Sequence, residues 1–266
     1  MFISIIIPTY KPQSYIEECL LSLENQSLDK TLYEVIIVLN GEKEPYYSYI
    51  KSFISHLTLR IQLLYTSLAS VSNARNIAIQ SSQGSHICFI DDDDYVSEVY
   101  LEELFKIASK NIVPLTNIQA FEIKDNHFIK KQYYISEVYN KLYKPFKTYN
   151  ILQIKSYMSV PVLKLIPKSS IGTSRFNLKF KNGEDSIFMF LISKNLNKFQ
   201  FTTPTAIYYR RIRTGSAVTT HKTRYQLIKI SFAQISEYTS IYLKSPFKYN
   251  FLFFITRILA AIKNTF

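Results

Sequence analysis

Short apolar runs alternate with amphipathic stretches along the first 110 residues of the chain. Four of the runs are predicted strands, and they cover residues 3–7, 34–39, 60–65 and 87–90. The stretches between them carry apolar residues at the spacing of one helix face. The clearest examples are Ile16, Cys19, Leu20 and Leu23, followed by Ile50, Phe53, Ile54 and Leu57. Strands that alternate with helices in units of this length predict an α/β fold with a mostly parallel sheet and right-handed crossovers.

Two further helices are predicted before residue 112. Ser72 stands where an N-cap would begin a helix that carries Ala74, Arg75 and Ile77, and another helix is expected from about residue 98 to 110. After residue 112 the pattern is less regular. Strand-like segments such as 119–123 precede a stretch rich in Tyr and Lys with no clear period.

The last hundred residues predict a helix at 186–194, a strand at 206–210 and a helical, basic stretch from 221 to 266. The sequence Gly183-Glu184-Asp185 precedes the first of these helices, and a basic loop at 210–216 follows the strand. Ligands of parallel α/β sheets bind beyond the carboxyl ends of the strands. This rule places Pro8 and Thr9, Leu39 and Asn40, and Asp91–Asp94 on one rim of the sheet.

Four consecutive aspartates, Asp91 to Asp94, follow the strand at 87–90, although the whole chain has only seven. Crowded carboxylates repel one another, so either some of them are protonated or a cation lies among them. Oxygen-only ligands suit Mg²⁺ or Mn²⁺, which complete their shells with water and with the phosphates of a substrate. The simpler alternative is a solvated acidic turn that caps the next helix, and we expect that role for Asp94.

The composition of the chain indicates the charge of its binding partner. The 266 residues carry a net charge of +12, which indicates an anionic partner such as a phosphorylated substrate, a membrane surface or nucleic acid. Cys19 and Cys88 fall within predicted core elements, so both are expected to be reduced packing residues in a reducing compartment. Residues 2–7 are too short for a secretory leader, and no run approaches the roughly 20 apolar residues of a spanning helix.

Six motifs in order make the chain similar to a known family. They are IIIPTY at 5–10, VIIVLNG at 35–41, SNARN at 72–76, FIDDDD at 89–94, GED at 183–185 and RIRTGS at 211–216. Together they resemble the inverting glycosyltransferases of the large second family, including bacterial polysaccharide-type enzymes, which have the A-type fold and use nucleotide-activated sugars. The resemblance implies a Rossmann-like, mostly parallel sheet flanked by helices. It also implies a nucleotide-sugar-binding part at 1–110, an acceptor-binding and catalytic part at 111–220 and a helical basic extension at 221–266.

The resemblance further implies roles for the matched residues, in a metal-dependent transfer to a glycan or a lipid-linked acceptor. Donor-binding roles fall on Pro8, Thr9, Tyr10, Asn40, Arg75, Asp91, Asp92, Arg211, Arg213 and Ser216. Asp93 becomes the principal ligand of Mn²⁺ or Mg²⁺. Asp185, with Glu184 beside it, becomes the catalytic base that takes a proton from the incoming hydroxyl. The arginine loop from Arg211 to Ser216 closes over the diphosphate, where negative charge accumulates in the transition state.

One position departs from the family pattern. The family usually has an aspartate where Leu39 stands, in contact with the nucleobase, and here only the next residue, Asn40, is polar. The departure leaves UDP, dTDP and GDP open as the nucleotide of the donor sugar. The sequence does not indicate which sugar, acceptor or linkage is involved.

Other interpretations predict different features. A sugar-phosphate nucleotidyltransferase would be expected to carry a glycine-rich phosphate loop near the first strand, and residues 8–13 contain no glycine. A nucleic-acid-binding module fits the net charge, but the aspartate cluster would repel its ligand. Taken alone, Glu184 and Asp185 could simply complement a helix dipole, the arginines of 210–213 could be solvated, and Arg75 could lie on a helix surface.

The C-terminal stretch has its own charge pattern. Four basic residues and no acidic ones occur from residue 244 to the end, namely Lys244, Lys248, Arg257 and Lys263. As a helix, this stretch is expected to place five apolar side chains on one broad face, namely Phe251, Phe254, Ile255, Ile258 and Ile262. The cations are expected nearer the edges and ends of that face. Such a face suits peripheral contact with an anionic membrane, and packing against protein or a second copy is the alternative. We expect a cytoplasmic enzyme at the inner face of the membrane.

Overall fold

The described residues of this computed structural model are 1–125, 127–213 and 223–263. They form twelve strands and nine α-helices. The strands are β1 Ile3–Thr9, β2 Tyr33–Asn40, β3 Ile61–Thr66, β4 His86–Phe89, β5 Tyr95–Val96, β6 Ile112–Leu115, β7 Asn117–Lys124, β8 His127–Lys131, β9 Thr148–Tyr149, β10 Leu165–Pro167, β11 Lys198–Phe201 and β12 Ile207–Arg211. The helices are α1 Tyr15–Glu24, α2 Tyr46–Ile54, α3 Val71–Ser81, α4 Tyr100–Ile107, α5 Tyr134–Leu142, α6 Lys168–Ile171, α7 Glu184–Ile192, α8 Arg224–Lys244 and α9 Phe251–Lys263.

A five-stranded sheet in the order β10-β4-β1-β2-β3 organises the first half of the chain. Strands β1 to β4 are parallel, and β10 joins the edge antiparallel to β4. Every residue of β1, β2 and β4 is buried, because helices cover both faces of a parallel sheet. The predicted α/β architecture with a parallel core and a helical C-terminal end is confirmed.

Two smaller sheets lie beyond this core. One has the order β6-β11-β9 and the other the order β5-β12-β7-β8. In the second, β12 pairs antiparallel with β5, which directly follows the aspartates, and Tyr209 lies opposite Tyr95. This pairing carries the arginines at the end of β12 to the aspartate cluster, about 115 residues earlier in the sequence. A continuous hydrophobic cluster extends through the molecule from Ile3 to Ala261.

Two predicted helix caps were wrong. Helix α3 is capped by Ser70, whose extended backbone lets its hydroxyl accept from the Asn73 N–H at 3.2 Å, and Ser72 is a buried residue within the helix. Asp94 caps nothing, since α4 begins only at Tyr100, after Val99. The Asp94 carboxylate instead accepts from a backbone N–H of β12, as described below.

The C-terminal extension packs on the protein as a pair of helices, α8 and α9. Helix α9 directs Phe253, Arg257 and Ala261 into the interior, and each of them is no more than 5% exposed. The expectation that Arg257 would lie at the edge of an exposed face was therefore wrong. Its guanidinium donates to the Lys155 carbonyl and the Ser159 hydroxyl, both at 3.1 Å, which compensates for the burial of its charge. No helix within the described ranges is long and apolar enough to cross a membrane.

Candidate active site

A cavity of about 620 Å³ opens at the carboxyl ends of the central strands. Eleven of the thirteen site residues predicted from the sequence line it, namely Pro8, Tyr10, Asn40, Arg75, Asp91, Asp92, Asp93, Glu184, Asp185, Arg211 and Arg213. Thr9 lies directly behind the lining, where its hydroxyl donates to the Asp92 carboxylate at 2.5 Å. Ser216 lies outside the described residues. The strand-end rule therefore located the cavity, because β1, β2 and β4 all end at its rim.

Each aspartate of the cluster has a separate partner. Asp91 pairs with Arg75 at 3.0 Å, and Asp92 accepts from the Thr9 hydroxyl. Asp93 pairs with Arg213 at 2.7 Å. Repulsion among the carboxylates of the cluster is thus reduced by side chains of β1, α3 and the segment after β12. These side chains come from distant parts of the chain.

Asp94, the last member of the cluster, is only 3% exposed and belongs to the supporting structure. Its carboxylate accepts from the Arg211 N–H at 2.8 Å and from the Tyr208 hydroxyl, and that hydroxyl also accepts from the Asp91 N–H at 3.1 Å. These contacts fix the turn of aspartates against β12. Burial raises the pKa of Asp94 well above its ordinary value, and burial raises that of Asp92 to about 7.

The carboxylates present in the cavity suit a cation that is shared with a ligand. Asp91 is 40% exposed and Asp93 17% exposed in their side chains, so both present oxygen to the cavity. Within the described ranges, no group of three or more His, Cys, Asp or Glu residues could hold a metal ion alone. Mg²⁺ and Mn²⁺ are commonly held by one or two carboxylates plus the phosphates of a substrate, and the donor set fits that arrangement.

Glu184 and Asp185 form the opposite side of the cavity, in the first turn of α7. Gly183 precedes them with φ +78°, and a Cβ at that position would lie 2.1 Å from the Gln234 amide nitrogen of α8. The positive φ therefore favours glycine, and a larger residue would also have to displace the end of the Gln234 side chain. Burial raises the pKa of Glu184 to about 7, and burial also raises the pKa of Asp185, with Arg75 opposing.

Arg75 joins the two sides of the cavity. One guanidinium nitrogen lies 2.5 Å from Asp185 and another lies 3.0 Å from Asp91, while the ring of Phe176 lies under the guanidinium. Arg75 is 3% exposed, so it is buried at the centre of two ion pairs. The alternative that it lies on a helix surface is therefore wrong. Although burial opposes it, the carboxylates raise the pKa of Arg75, which stays charged. One side chain thus sets the separation of Asp185 and Asp91.

Positions 39 and 40 differ in whether they reach the cavity. Leu39 is fully buried in the core, whereas Asn40 lines the cavity with its amide nitrogen donating to the Thr9 carbonyl at 2.7 Å. Gly41, with φ +97°, lies under the ring of Tyr10, where a Cβ would approach to 2.7 Å. These contacts hold Tyr10, which is half exposed, at the cavity mouth.

Sequence reasoning missed several residues of the site. Arg210 lines the cavity with its guanidinium over the ring of Tyr133, which lies in the stretch where no element could be assigned. Residues 160–163 form another wall, and the fully buried Lys164 lies directly behind it. A lysine within an otherwise apolar run is a weak signal, and no acidic residue nearby in the sequence marked it.

Comparison with known proteins gives a consistent result. Residues 4–172 match the profile of the family described as Glycosyl transferase family 2. The poly(ribitol-phosphate) beta-N-acetylglucosaminyltransferase TarS of Staphylococcus aureus is 22% identical over 88% of this chain and 40% of its own length. Glycosyltransferase GlyA of Streptococcus pneumoniae is 26% identical over 80% of this chain and 31% of its own length. The chain thus spans less than half the length of these relatives.

The crystal structure of Staphylococcus aureus TarS residues 1–349 in complex with UDP-GlcNAc has the same fold. It superposes with a TM-score of 0.74 at 18% identity, over 99% of this chain and 72% of the other. A second crystal structure, with UDP, superposes with a TM-score of 0.65 at 20% identity, over 90% of this chain and 65% of the other.

Proposed function

The chain belongs to glycosyl transferase family 2, and on that premise we propose that it transfers a sugar from a nucleoside-diphosphate donor to an acceptor hydroxyl, with inversion at the anomeric carbon. The observation that carries the proposal is the Arg75 bridge between Asp185 and Asp91. It holds the partly exposed Asp185 carboxylate across one cavity from an aspartate cluster that suits a diphosphate and its cation. A single displacement needs these two groups on opposite sides of the reacting carbon.

We assign the roles within the cavity as follows. Pro8, Thr9, Tyr10 and Asn40 surround the base and ribose, with Asp91 and Asp92 near the ribose. Asp93 holds the divalent cation, which supplies Lewis-acid neutralisation of the leaving diphosphate when bound. The cationic loop from Arg211 neutralises the same charge, and Arg213 lies 2.7 Å from Asp93. Residues 1–110 thus bind the donor, and residues 111–220 bind the acceptor and carry the base.

Asp185 acts as the general base, supported by Glu184. Its carboxylate lies in the cavity at the N-terminus of α7, where Arg75 keeps it oriented at 2.5 Å. In its ionised form it takes the proton of the attacking hydroxyl, while the bond from the anomeric carbon to the diphosphate breaks. Because burial raises the pKa of Asp185, transfer is expected to fall on acidification at a higher pH than an ordinary aspartate would give.

The first test of the function is donor binding followed by transfer. The names of the relatives indicate UDP-GlcNAc as the first donor and poly(ribitol phosphate) as the first acceptor, with dTDP- and GDP-sugars in the same panel. We expect a donor with Mn²⁺ to raise the melting temperature by mass action and to release its nucleoside diphosphate when acceptor is added. A panel in which no nucleotide sugar stabilises the protein would contradict the proposal.

Asp93→Asn is expected to remove the metal-dependent part of donor binding. An amide oxygen carries no charge, so affinity for UDP in Mn²⁺ should fall by at least about tenfold, ~1.4 kcal/mol. Affinity measured in EDTA should change little. Calorimetry of UDP with and without Mn²⁺ measures both quantities.

The matched control for this substitution is Asp125→Asn. Asp125 is exposed at the tip of the β7–β8 hairpin with φ +50°, a conformation that asparagine adopts readily. The control should bind UDP and Mn²⁺ like the parent protein. Unchanged metal-dependent affinity in Asp93→Asn would remove Asp93 from the metal site.

We further propose that α8 and α9 contact an anionic membrane from the cytoplasmic side. Many large apolar side chains on and between these helices are exposed, namely Tyr225, Ile228, Phe232, Leu243, Phe247, Phe251, Leu252, Leu259 and Ile262. The exposed cations of the same segment are Arg224, Lys229, Lys244, Lys248 and Lys263. The acid of residues 223–263, Glu237, is partly buried and accepts from Asn177. Apolar side chains among cations, with little opposing charge, suit an interface with anionic lipid.

Leu252→Glu is expected to weaken binding to phosphatidylglycerol vesicles by at least about tenfold, since it removes apolar contact and adds repulsion. Co-sedimentation at low salt measures the effect. Leu21→Glu, a similarly placed exposed leucine on α1, should leave binding unchanged. If the parent protein does not sediment, or if Leu252→Glu sediments equally well, this face belongs to a protein interface.

A further inference from the structure

Lys164 is a fully buried lysine directly behind one wall of the cavity. Its ammonium group donates to three backbone carbonyls, those of Tyr157 at 2.9 Å, Val160 at 2.6 Å and Val162 at 2.7 Å. An ammonium has three N–H donors, so all of them are used. Among the described residues it makes no ion pair within 4 Å, which is unusual for a buried charge.

The carbonyls that Lys164 holds belong to the segment that lines the cavity. Residues 160–163 all contact it, and Val160 and Val162 turn their carbonyls away from it toward the lysine. Leu163 adopts φ +71°, which side chains larger than glycine rarely accept. Such a conformation persists only where surrounding contacts over-determine it, and Lys164 supplies three of those contacts.

Other contacts hold the same segment at its start. The Tyr157 hydroxyl donates to the Thr116 carbonyl at 3.0 Å, and Arg257 donates to the Ser159 hydroxyl at 3.1 Å. Residues 155–159 are therefore held from Thr116, just after β6, and from α9. In the cavity wall, the Leu163 carbonyl accepts from the Thr116 N–H at 3.0 Å, and Lys164 holds the carbonyls of Val160 and Val162. Lys164 and Arg257, both buried, thus donate hydrogen bonds to different polar groups of this segment.

The charges of Lys164 and Asp185 also affect each other's pKa. Burial lowers the pKa of Lys164 to about 7, and the Asp185 carboxylate opposes this change. The reciprocal effect lowers the pKa of Asp185, added to that of Arg75. Asp91 raises the pKa of Asp185, and Asp185 in turn raises the pKa of Glu184. Near Asp185, Arg257 donates to the hydroxyl of the next residue in the chain, Ser186, at 3.5 Å.

We propose that Lys164 is a positioning residue of the transferase site, whose hydrogen bonds help to fix the main-chain wall at 160–163 for the acceptor. The proposal rests on the function proposed above, in which Asp185 is the base. Lys164 itself touches neither reactant, because its three donors are all directed at backbone carbonyls. Its two effects have different physical origins: hydrogen bonding holds the wall, and charge acts on the carboxylate.

Two substitutions separate these effects. Lys164→Met fills the same space but provides neither donors nor charge, so both effects should be lost. Lys164→Gln keeps two N–H donors without the charge, so the wall should be better preserved while the effect on Asp185 is lost. Lys168→Met is the matched control on the same segment. Lys168 donates to the Ser82 carbonyl and lies apart from the cavity lining.

The first measurement is NMR titration of the Asp185 and Glu184 carboxyls in the folded protein without substrates. We expect the Asp185 titration to move to higher pH in both Lys164 variants and to stay unchanged in Lys168→Met. The second measurement is steady-state transfer, where Lys164→Met should raise the acceptor KM by about tenfold, with a smaller change for the donor. The acid limb of kcat/KM should move to higher pH with the carboxyl titration.

The outcomes distinguish this proposal from the one it rests on. If the folded variants show the parent titration and the parent acceptor KM, Lys164 is a structural residue only. If Lys164→Met does not fold, the carboxyl titration and the acceptor KM of Lys164→Gln decide whether Lys164 is a positioning residue. If the parent protein has no transferase activity, the proposed function fails, and the carboxyl titration still reports whether Lys164 acts on Asp185.

Discussion

Replacing Asp185 with asparagine is expected to lower the rate of sugar transfer by about 10²–10⁴-fold, because an amide cannot accept the proton of the attacking hydroxyl. The substitution keeps the volume of the side chain and its contact with Arg75, which still pairs with Asp91 at 3.0 Å. Donor affinity should therefore remain close to that of the parent protein. Single-turnover transfer and calorimetry with the nucleotide measure the two quantities separately.

The matched substitution is Glu184→Gln in the same turn of α7. Both carboxyls line the cavity, but Asp185 makes the ion pair with Arg75 at 2.5 Å. We expect the loss in Glu184→Gln to be much smaller. A rate near normal in Asp185→Asn would make this carboxylate only a partner of Arg75, and an equal loss in both variants would mean that the two act as one unit.

Arg75→Met is expected to lower the free energy of unfolding, by less than the ~3–5 kcal/mol lost from a fully buried ion pair, because the Asp91 and Asp185 side chains are 40% and 27% exposed. Asp185 and Asp91 would then face each other without the cation that now lies 2.5 Å and 3.0 Å from them. Methionine retains apolar contact with the ring of Phe176, so the loss reports the charge rather than a cavity. Urea denaturation measures it.

The loss caused by Arg75→Met should depend on pH in a defined direction. Arg75 lowers the pKa of Asp185, which burial raises, so its removal raises that pKa further. A carboxyl whose folded-state pKa lies above the unfolded value destabilises the fold increasingly as the pH rises through that window. The difference between parent and variant should thus be larger at pH 8 than at pH 5.

The control is Arg60→Met, which removes an exposed arginine over the ring of Phe2 that donates to Gln83. It should change stability by no more than about 0.5 kcal/mol at either pH, as for other surface substitutions. An equal loss at both pH values in Arg75→Met would show that packing of the side chain, and not its charge, holds the two carboxylates.

The local pattern of the sequence was sufficient to predict the parallel strands of the first sheet and the helices between them. Apolar runs and helical spacings predicted β1 to β4 and the helices between them, since each depends on residues that are neighbours in the chain. Boundaries were less accurate. The helix expected from 98 to 110 spans only Tyr100–Ile107, and the cap of α3 is Ser70. Two serines two residues apart look alike in sequence, and backbone conformation selects between them.

The strand-end rule also placed six of the thirteen predicted site residues on one rim, namely Pro8, Thr9, Asn40, Asp91, Asp92 and Asp93. Pro8, Asn40 and the aspartates end adjacent parallel strands, so topology alone makes them neighbours. The order of the sequence motifs further predicted that Asp185 and the arginines belong to the same site. How these groups neutralise one another could not be predicted, because Arg213 reaches Asp93 across 120 residues.

The sequence by itself thus determined the parallel core, the rim on which the aspartates lie and the types of side chain that meet there. Only the tertiary structure decided that Arg75 lies buried between two carboxylates, that Arg257 faces inward, and that Lys164 supports a cavity wall. The physical reason is the same in each case. Hydrophobic periodicity reports which face of a local element leaves water, whereas a buried cation is tolerated only where distant carbonyls or carboxylates surround it, and those partners are set by long-range packing.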